Sequence, residues 1–202
     1  MNKADNIFPD IVRMIDRGAK EKLLKQKAMV IWLTGLSGAG KTTIAINLEK
    51  ELYHKGYLTQ ILDGDNIRGG INSDLDFSTA GRYENIRRIA EISKLLIDSG
   101  VIVICCFISP TNLLRNMAKN IIETDNYKEI FIKSPIDVCE KRDVKGLYKK
   151  VREGKIKQFT GIDDIYEEPQ QADLIIDSSN ITIEESVKKL LDFVLQIQDL
   201  NK

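Results

Sequence analysis

Gly35-Leu36-Ser37-Gly38-Ala39-Gly40-Lys41-Thr42 satisfies the pattern G-x-x-x-x-G-K-[ST] at every fixed position. Immediately upstream, Met29-Val30-Ile31-Trp32-Leu33 is a short apolar run with the character of a strand buried in a parallel sheet. Downstream, residues 43–52 read as a helix carrying Ile44, Leu48 and Leu52 on one face. Strand, glycine loop and helix thus follow one another in the order a phosphate-binding loop needs. Glycines let successive backbone N–H groups curl around phosphate oxygens, and the helix N-terminus adds the positive end of its dipole. Lys41 would then reach the β- and γ-phosphates, and the Thr42 hydroxyl would ligate Mg²⁺. The plain alternative, a Gly-rich strand-to-helix turn without a ligand, is disfavoured by the flanking strand and helix. The stretch predicts a nucleoside triphosphate site built from Gly35, Leu36, Ser37, Gly38, Ala39, Gly40, Lys41, Thr42 and Thr43.

A chain of 202 residues suits one α/β domain with a sizeable core. Lys+Arg and Asp+Glu are both 30, so the formal net charge of zero gives no electrostatic case for nucleic-acid binding. Cys105, Cys106 and Cys139 show no metal-ligand spacing, and the adjacent pair lies in an apolar run, which suggests reduced core thiols in a cytoplasmic protein. His54, before Gly56, reads as a surface residue at a helix end. The N-terminus lacks the apolar segment of a signal peptide. No stretch reaches the roughly 20 apolar residues that cross a bilayer. The sequence therefore predicts a soluble protein with no membrane partner.

Ile11, Ile15, Ala19 and Leu23 recur every four residues and predict an amphipathic helix in residues 1–27, its stripe covering the domain or a second subunit. The lysines of residues 20–27 read as a solvated face. Residues 57–62, 101–107, 130–133 and 174–176 read as strands. Residues 85–99 read as a helix with Ile86, Ile89, Ile92, Leu95 and Leu96 inward. Thr182-x-x-Glu185 is a capping box opening a last helix. Alternating strands and helices predict a parallel sheet covered on both faces.

Ligands gather at the carboxyl ends of the strands in such sheets. Three polar groups fall there: the glycine loop, Asp63-Gly64-Asp65 and Ser109-Pro110. One of the two aspartates suits accepting a proton from an acceptor hydroxyl, and the other suits holding a metal-bound water. Ordinary turn and cap chemistry is the alternative, with Asp65 capping a helix that begins at Asn66. Arg68, Arg82, Arg87 and Arg88 lie between the second and third strands, and arginine grips phosphate or sulfate oxygens bidentately. They suggest a second anionic substrate, although Arg87 and Arg88 point in different directions on a helix. Phe77 either stacks on a base or packs. Residues 141–161 are basic and jointed by Gly146, Gly154 and Gly161, as in a lid that closes over phosphates, while Lys149 and Lys150 read as a solvated face.

With these residues in view, the chain resembles the adenylylsulfate kinase (APS kinase) family of P-loop kinases. The resemblance rests on Leu62-Asp63-Gly64-Asp65-Asn66-Ile67-Arg68, Glu84-Asn85-Ile86-Arg87-Arg88 and Phe107-Ile108-Ser109-Pro110. It extends through Cys139-Glu140-Lys141-Arg142-Asp143, Lys145-Gly146-Leu147-Tyr148 and Phe159-Thr160-Gly161-Ile162-Asp163, and spans about residues 30–170. It implies a three-layer α/β P-loop NTPase fold, with an N-terminal helical extension over 1–27, one kinase domain over 28–202 and a basic lid over about 141–161. It also implies transfer of the ATP γ-phosphoryl group to the 3′-hydroxyl of adenosine 5′-phosphosulfate (APS), giving PAPS for sulfate assimilation.

On the resemblance, Asp65 is the base on that hydroxyl, and Asp65, Asn66 and Arg68 hold the ribose and phosphosulfate. Phe77 stacks on the APS adenine, Arg82 and Asn85 bind the same nucleotide, and Ile108, Ser109, Lys145 and Phe159 complete the pocket. Arg142 lies on the ATP side; Thr42 and Asp63 hold Mg²⁺; Lys41, Asp65 and Ser109 form the catalytic set. The family's phosphoserine position falls at Ser109, but in-line transfer between two bound nucleotides needs no covalent step, so a substrate hydrogen bond is sufficient reason for that serine. A homodimer and an ATP sulfurylase as pathway neighbour follow from the same resemblance.

The sequence departs from the family's usual pattern in places. Gly69-Gly70 stands for His-Gly, Asp76-Phe77-Ser78 for Gly-Phe-Ser, and Gly81-Arg82 for Asp-Arg; Thr111-Asn112 and then Arg115 follow Ser109-Pro110, where a Tyr and further arginines are common. These changes border the acceptor pocket. The alternatives are a divergent relative phosphorylating another nucleotide with a similar phosphoanhydride, and a non-catalytic nucleotide-binding subunit. Retention of Lys41, Thr42 and Asp65 counts against the latter.

Overall fold

In the computed structural model, which describes residues 13–199, strand β1 (Val30–Thr34) is buried along its whole length. Its side chains alternate between two cores: Ile31 and Leu33 join one cluster, Val30 and Trp32 the other. Strand β3 (Ile102–Cys106) divides in the same way, with Ile102, Ile104 and Cys106 on one side and Val103 and Cys105 on the other. Strands apolar on both faces belong in a parallel sheet with helices on each side. With β2 (Thr59–Asp63), β4 (Tyr127–Lys133) and β5 (Leu174–Asp177) they form a parallel sheet in the order β2-β3-β1-β4-β5. Helices α2 (Lys41–His54) and α8 (Ile183–Asp199) cover one face, and α4 (Thr79–Ile97) and α5 (Asn112–Ile122) the other.

The register places Leu33 beside Cys106 and Ile130, and Asp63 beside Cys106. The carboxyl ends of β1, β2 and β3 therefore share one edge. The chain leaves β1 for β2 on one side of the sheet and returns past it to β4 on the other. The crevice outside β1 and β3 is thus the topological switch point, where parallel sheets bind ligands.

Local chemistry sets the helix starts. The Ser78 side chain accepts from the Gly81 N–H and begins α4 at Thr79, earlier than apolar spacing alone indicates. In α8, Thr182 N–H donates to Glu185 at 2.8 Å and Glu185 N–H to Thr182 Oγ1 at 3.1 Å, the reciprocal capping box that the spacing predicts. The inner face of α4 holds Ile86 and Ile89, whereas Leu95 is 70% exposed, against expectation. Cys105, Cys106 and Cys139 are free, buried thiols, and burial pushes Cys105 up to about 12.

The N-terminal expectation needs correction. Ile11 lies outside the described residues. Helix α1 (Arg17–Leu24) buries no residue, and Ile15 and Leu23 are 70% and 82% exposed, so the predicted stripe does not cover the domain. The inward face is offset by one residue: Arg17 bonds Asn126 and Glu21, Lys20 Nζ donates to Asp98 O, and Leu24 lies against Gly100. Polar links fix this helix where apolar periodicity suggested burial. Among the described residues, no helix is long and apolar enough to cross a membrane.

Candidate active site

Residues 35–40 turn tightly between β1 and α2. Gly38 has φ +78°, and a Cβ there would lie 2.8 Å from Cys139 O, so the loop backbone packs directly on the middle of α6 (Ile136–Arg142). Three loop carbonyls are held from outside: Ser37 O by the Tyr148 hydroxyl at 2.9 Å, Gly38 O by Arg142 at 3.4 Å and Ala39 O by Ser178 Oγ at 2.8 Å. In trans peptides this turns the N–H groups of Gly38 and Gly40 the opposite way. The Leu36 side chain packs against the core, leaving its backbone for the loop, and Thr43 is exposed in the first turn of α2. Lys41 is 8% exposed and its Nζ donates to Gly35 O and Leu36 O, both at 2.8 Å. Burial pushes its pKa down to about 8.

Thr42 Oγ1 donates to Asp63 Oδ2 at 2.8 Å, joining the loop to the end of β2. Asp63 Oδ1 accepts from Asp65 N–H at 3.1 Å and caps α3 (Gly64–Gly69). The helix cap is therefore Asp63, and Asp65 is free of that task. A hydroxyl and a carboxylate side by side fit Mg²⁺, which keeps several waters and takes one or two protein oxygens beside substrate phosphates. Among the described residues, no cluster of three or more His, Cys, Asp or Glu suited to a metal occurs.

The other flank is set by α3, the 70–78 loop and α4. Asp65 is an exposed carboxylate whose Oδ2 lies 2.5 Å from Lys145 Nζ; Asn66 beside it is exposed too. Arg68 donates to Leu75 O at 3.2 Å and Asp76 O at 3.0 Å, and its guanidinium stands 4.2 Å above the Phe77 ring. Arg82 donates to Phe77 O, Gln158 O and Thr160 Oγ1, and lies 6.0 Å from the same ring. Burial and the neighbouring Arg82 charge both lower the Arg68 pKa. Phe77 is 62% exposed, so it does not pack into the core. Asn85 is buried and its Oδ1 accepts from Asn72 Nδ2 at 3.0 Å.

Arg87 and Arg88 do not join this group. Both bond Glu84, Arg88 also bonds Asp74, and the two guanidinium groups hold the Glu84 carboxyl down at about 2. Their charge is engaged on the α4 surface and by Asp74 of the loop before it.

Two further expectations meet a different geometry. Ser109 is 2% exposed: its hydroxyl accepts from Trp32 Nε1 at 3.1 Å and donates to Thr34 Oγ1 at 3.1 Å. Its hydrogen is engaged inside the fold, so this geometry offers no substrate hydrogen bond from it. The half-buried Ile108 takes Thr34 Oγ1 at its carbonyl, at 2.6 Å. Phe159 is buried and packs edge-on against Tyr148, with centroids 5.0 Å apart, under the basic segment rather than in an open pocket. That segment spans the site: Tyr148 from α7 (Leu147–Arg152) reaches the glycine loop, Lys145 reaches Asp65, and residues 158 and 160 reach Arg82. Lys149 and Lys150 are exposed, as expected. Arg142 also grips Ser178 O at 2.6 Å.

Arg115 reads in the sequence as one of the changes bordering the acceptor pocket, and its burial was not foreseen. It is 2% exposed, donates to Ser109 O and Glu167 O at 2.7 Å each, and lies 2.8 Å from Glu129. It holds the backbone of Ser109, whose φ is +41°. Local contacts to Ser109 O and Asn112 Oδ1 do not by themselves mark a buried arginine; its ion-pair partner Glu129 comes from β4 and Glu167 O lies 52 residues away in sequence.

The sequence profile of the family described as Adenylylsulphate kinase matches residues 27–177. An "Adenylyl-sulfate kinase" of Bacteroides fragilis (strain YCH46) is 56% identical over 195 residues, covering 96% of each chain. One of Bacteroides thetaiotaomicron is 55% identical over 195 residues, covering 96% of this chain and 97% of its own. Among solved structures, the Mycobacterium tuberculosis APS kinase CysC in complex with AMPPNP and APS is similar with a TM-score of 0.80 and 40% identity, covering 84% of this chain and 98% of its own.

Proposed function

The chain belongs to the adenylylsulphate kinase family, and from that premise we propose that it transfers the γ-phosphoryl group of ATP to the 3′-hydroxyl of adenosine 5′-phosphosulfate. The observation that carries this is the sharing of one sheet edge by a phosphate loop and a separate cationic, aromatic flank. ATP phosphates lie on the N–H groups of residues 35–43 with Lys41 and Arg142 beside them. Asp65, Asn66, Arg68, Phe77, Arg82 and Asn85 take the acceptor, with Lys145 closing over it.

The 3′-oxygen attacks the γ-phosphorus in line, the bond to the bridging oxygen breaks, and ADP leaves. Asp65 receives the hydroxyl proton: Lys145 engages Oδ2, and the carboxylate has a second oxygen for the hydroxyl. Lys41 and the loop N–H groups hold charge on the transferred group. Mg²⁺, held by Thr42 and Asp63, neutralises charge on the phosphates when bound. The buried Ser109 acts through the shape of its backbone, with Ile108 and Phe159 supporting the pocket from behind. Residues 28–202 form one kinase domain, with 141–161 as its lid. The homodimer and an ATP sulfurylase supplying APS belong to the same proposal and rest on the family resemblance.

Incubation with ATP, Mg²⁺ and APS, followed by chromatography and ³¹P NMR of the product, tests the reading. A phosphate on the 3′-oxygen of APS is expected; an unchanged acceptor rejects it.

A further inference from the structure

Helix α4 starts at the N-cap Ser78, so Gly81 is its third residue. In a capping box the third residue supplies an acidic side chain that accepts from the N-cap N–H. Gly81 has none, yet that N–H is satisfied. Asp76 Oδ1 accepts from Ser78 N–H at 3.1 Å and from Ser78 Oγ at 2.6 Å, and Ser78 Oγ in turn accepts from Gly81 N–H at 3.1 Å. These hydrogen bonds hold the Asp76 carboxyl below its ordinary range.

The carboxylate also occupies the space of the missing side chain. A Cβ on Gly81 would lie 2.3 Å from Asp76 Oδ1 and 2.5 Å from Asp76 O. Contacts that short are not tolerated, so any side chain at 81 displaces residue 76. The displaced carbonyl is the one Arg68 holds at 3.0 Å, and the next carbonyl, of Phe77, is held by Arg82 at 2.9 Å.

We infer that Asp76 and Gly81 form one interlocked unit that positions Arg68, Phe77 and Arg82 for the acceptor, with Asp76 supplying from before the helix the carboxylate that a capping box draws from its third residue. Asp76 is a positioning residue: it acts through the loop that carries the arginines. The inference rests on the acceptor site proposed above.

Steady-state kinetics of the full chain with ATP and APS test it. Asp76→Ala and Gly81→Ala should each raise KM for APS about tenfold, the scale of a lost helix cap, with kcat and KM for ATP within about twofold. Asp76→Asn keeps an acceptor oxygen for Ser78 and should stay near wild type. Gly81→Asp should be as impaired as Gly81→Ala. Asp76→Gly combined with Gly81→Asp returns the carboxylate to the third helical position and clears its space, and should recover most of the lost APS affinity. Thermal midpoints separate this split from general loss of fold. Unchanged KM for APS in Asp76→Ala and Gly81→Ala, or strictly additive effects in the double variant, overturns the inference while wild type still phosphorylates APS. A wild type inactive on APS overturns the acceptor reading itself and the inference with it.

Discussion

Lys145 Nζ lies 2.5 Å from Asp65 Oδ2, an ion pair that joins the turn before α7 to the first turn of α3 across the mouth of the site. Both partners are largely exposed, so the pair adds little to stability. Its value is placement: it brings the basic segment over the carboxylate proposed to take the hydroxyl proton. Asp65→Asn keeps the shape but removes the base, and should lower kcat about 10²–10⁴-fold while the Kd for ATP stays near wild type. Loss of ATP affinity with turnover preserved would move Asp65 to the nucleotide side.

Lys41 gives a pH signature. Its pKa is about 8 in the folded chain against the usual 10.5, so between these values the unfolded chain holds a proton that the folded chain has lost. Stability therefore rises with pH through that window, relative to a Lys41→Met chain that lacks the group. Phosphate binding needs the charged amine, so ATP affinity should weaken as pH rises past about 8. Lys41→Arg, which stays charged, should show a flatter profile. Calorimetric titration of ATP from pH 7 to 9.5 checks this, and a flat wild-type profile would contradict it. Lys41→Ala should abolish transfer without unfolding the chain.

Gly38→Ala should cost about 1–3 kcal/mol in urea unfolding and lose ATP binding. The residue sits at φ +78°, and its added Cβ would meet Cys139 O at 2.8 Å. Wild-type ATP affinity in this variant would show that the loop geometry is not what holds the phosphates.

Arg115→Met should destabilise by about 3–5 kcal/mol, because it leaves Glu129 charged in a mostly buried place. Burial already raises the Glu129 pKa above its unfolded value, and losing the guanidinium raises it further. An acid with a raised folded pKa costs stability when ionised, so the deficit should shrink as pH falls toward 4.5, and Arg115→Met with Glu129→Gln should recover part of it. Chemical denaturation at pH 7.5 and 5 reads both effects.

The glycine loop, the apolar strands alternating with helices and the α8 capping box were legible because each is written in residues close in sequence. The burial of Ser109 was not: its hydroxyl partners Trp32 and Thr34 come from β1, which only the sheet order brings beside the end of β3. Asp76 and Gly81 read as two separate departures in the sequence, and only the folded α4 start shows one filling the space of the other. Of the two covers read for the α1 stripe, the domain's own core does not supply one: polar links place Arg17 and Lys20 inward and Leu23 outward.

Competition between APS and AMP tests the acceptor site most directly. Both carry adenosine and an α-phosphate, and only APS adds the sulfuryl group proposed to meet Arg68 and Arg82. A charged hydrogen bond of that kind contributes about 1.5–3 kcal/mol, so kcat/KM for APS should exceed that for AMP by more than about tenfold, and Arg82→Ala should narrow the gap. Equal use of the two acceptors, or no 3′-phosphorylated product from APS, would contradict the account.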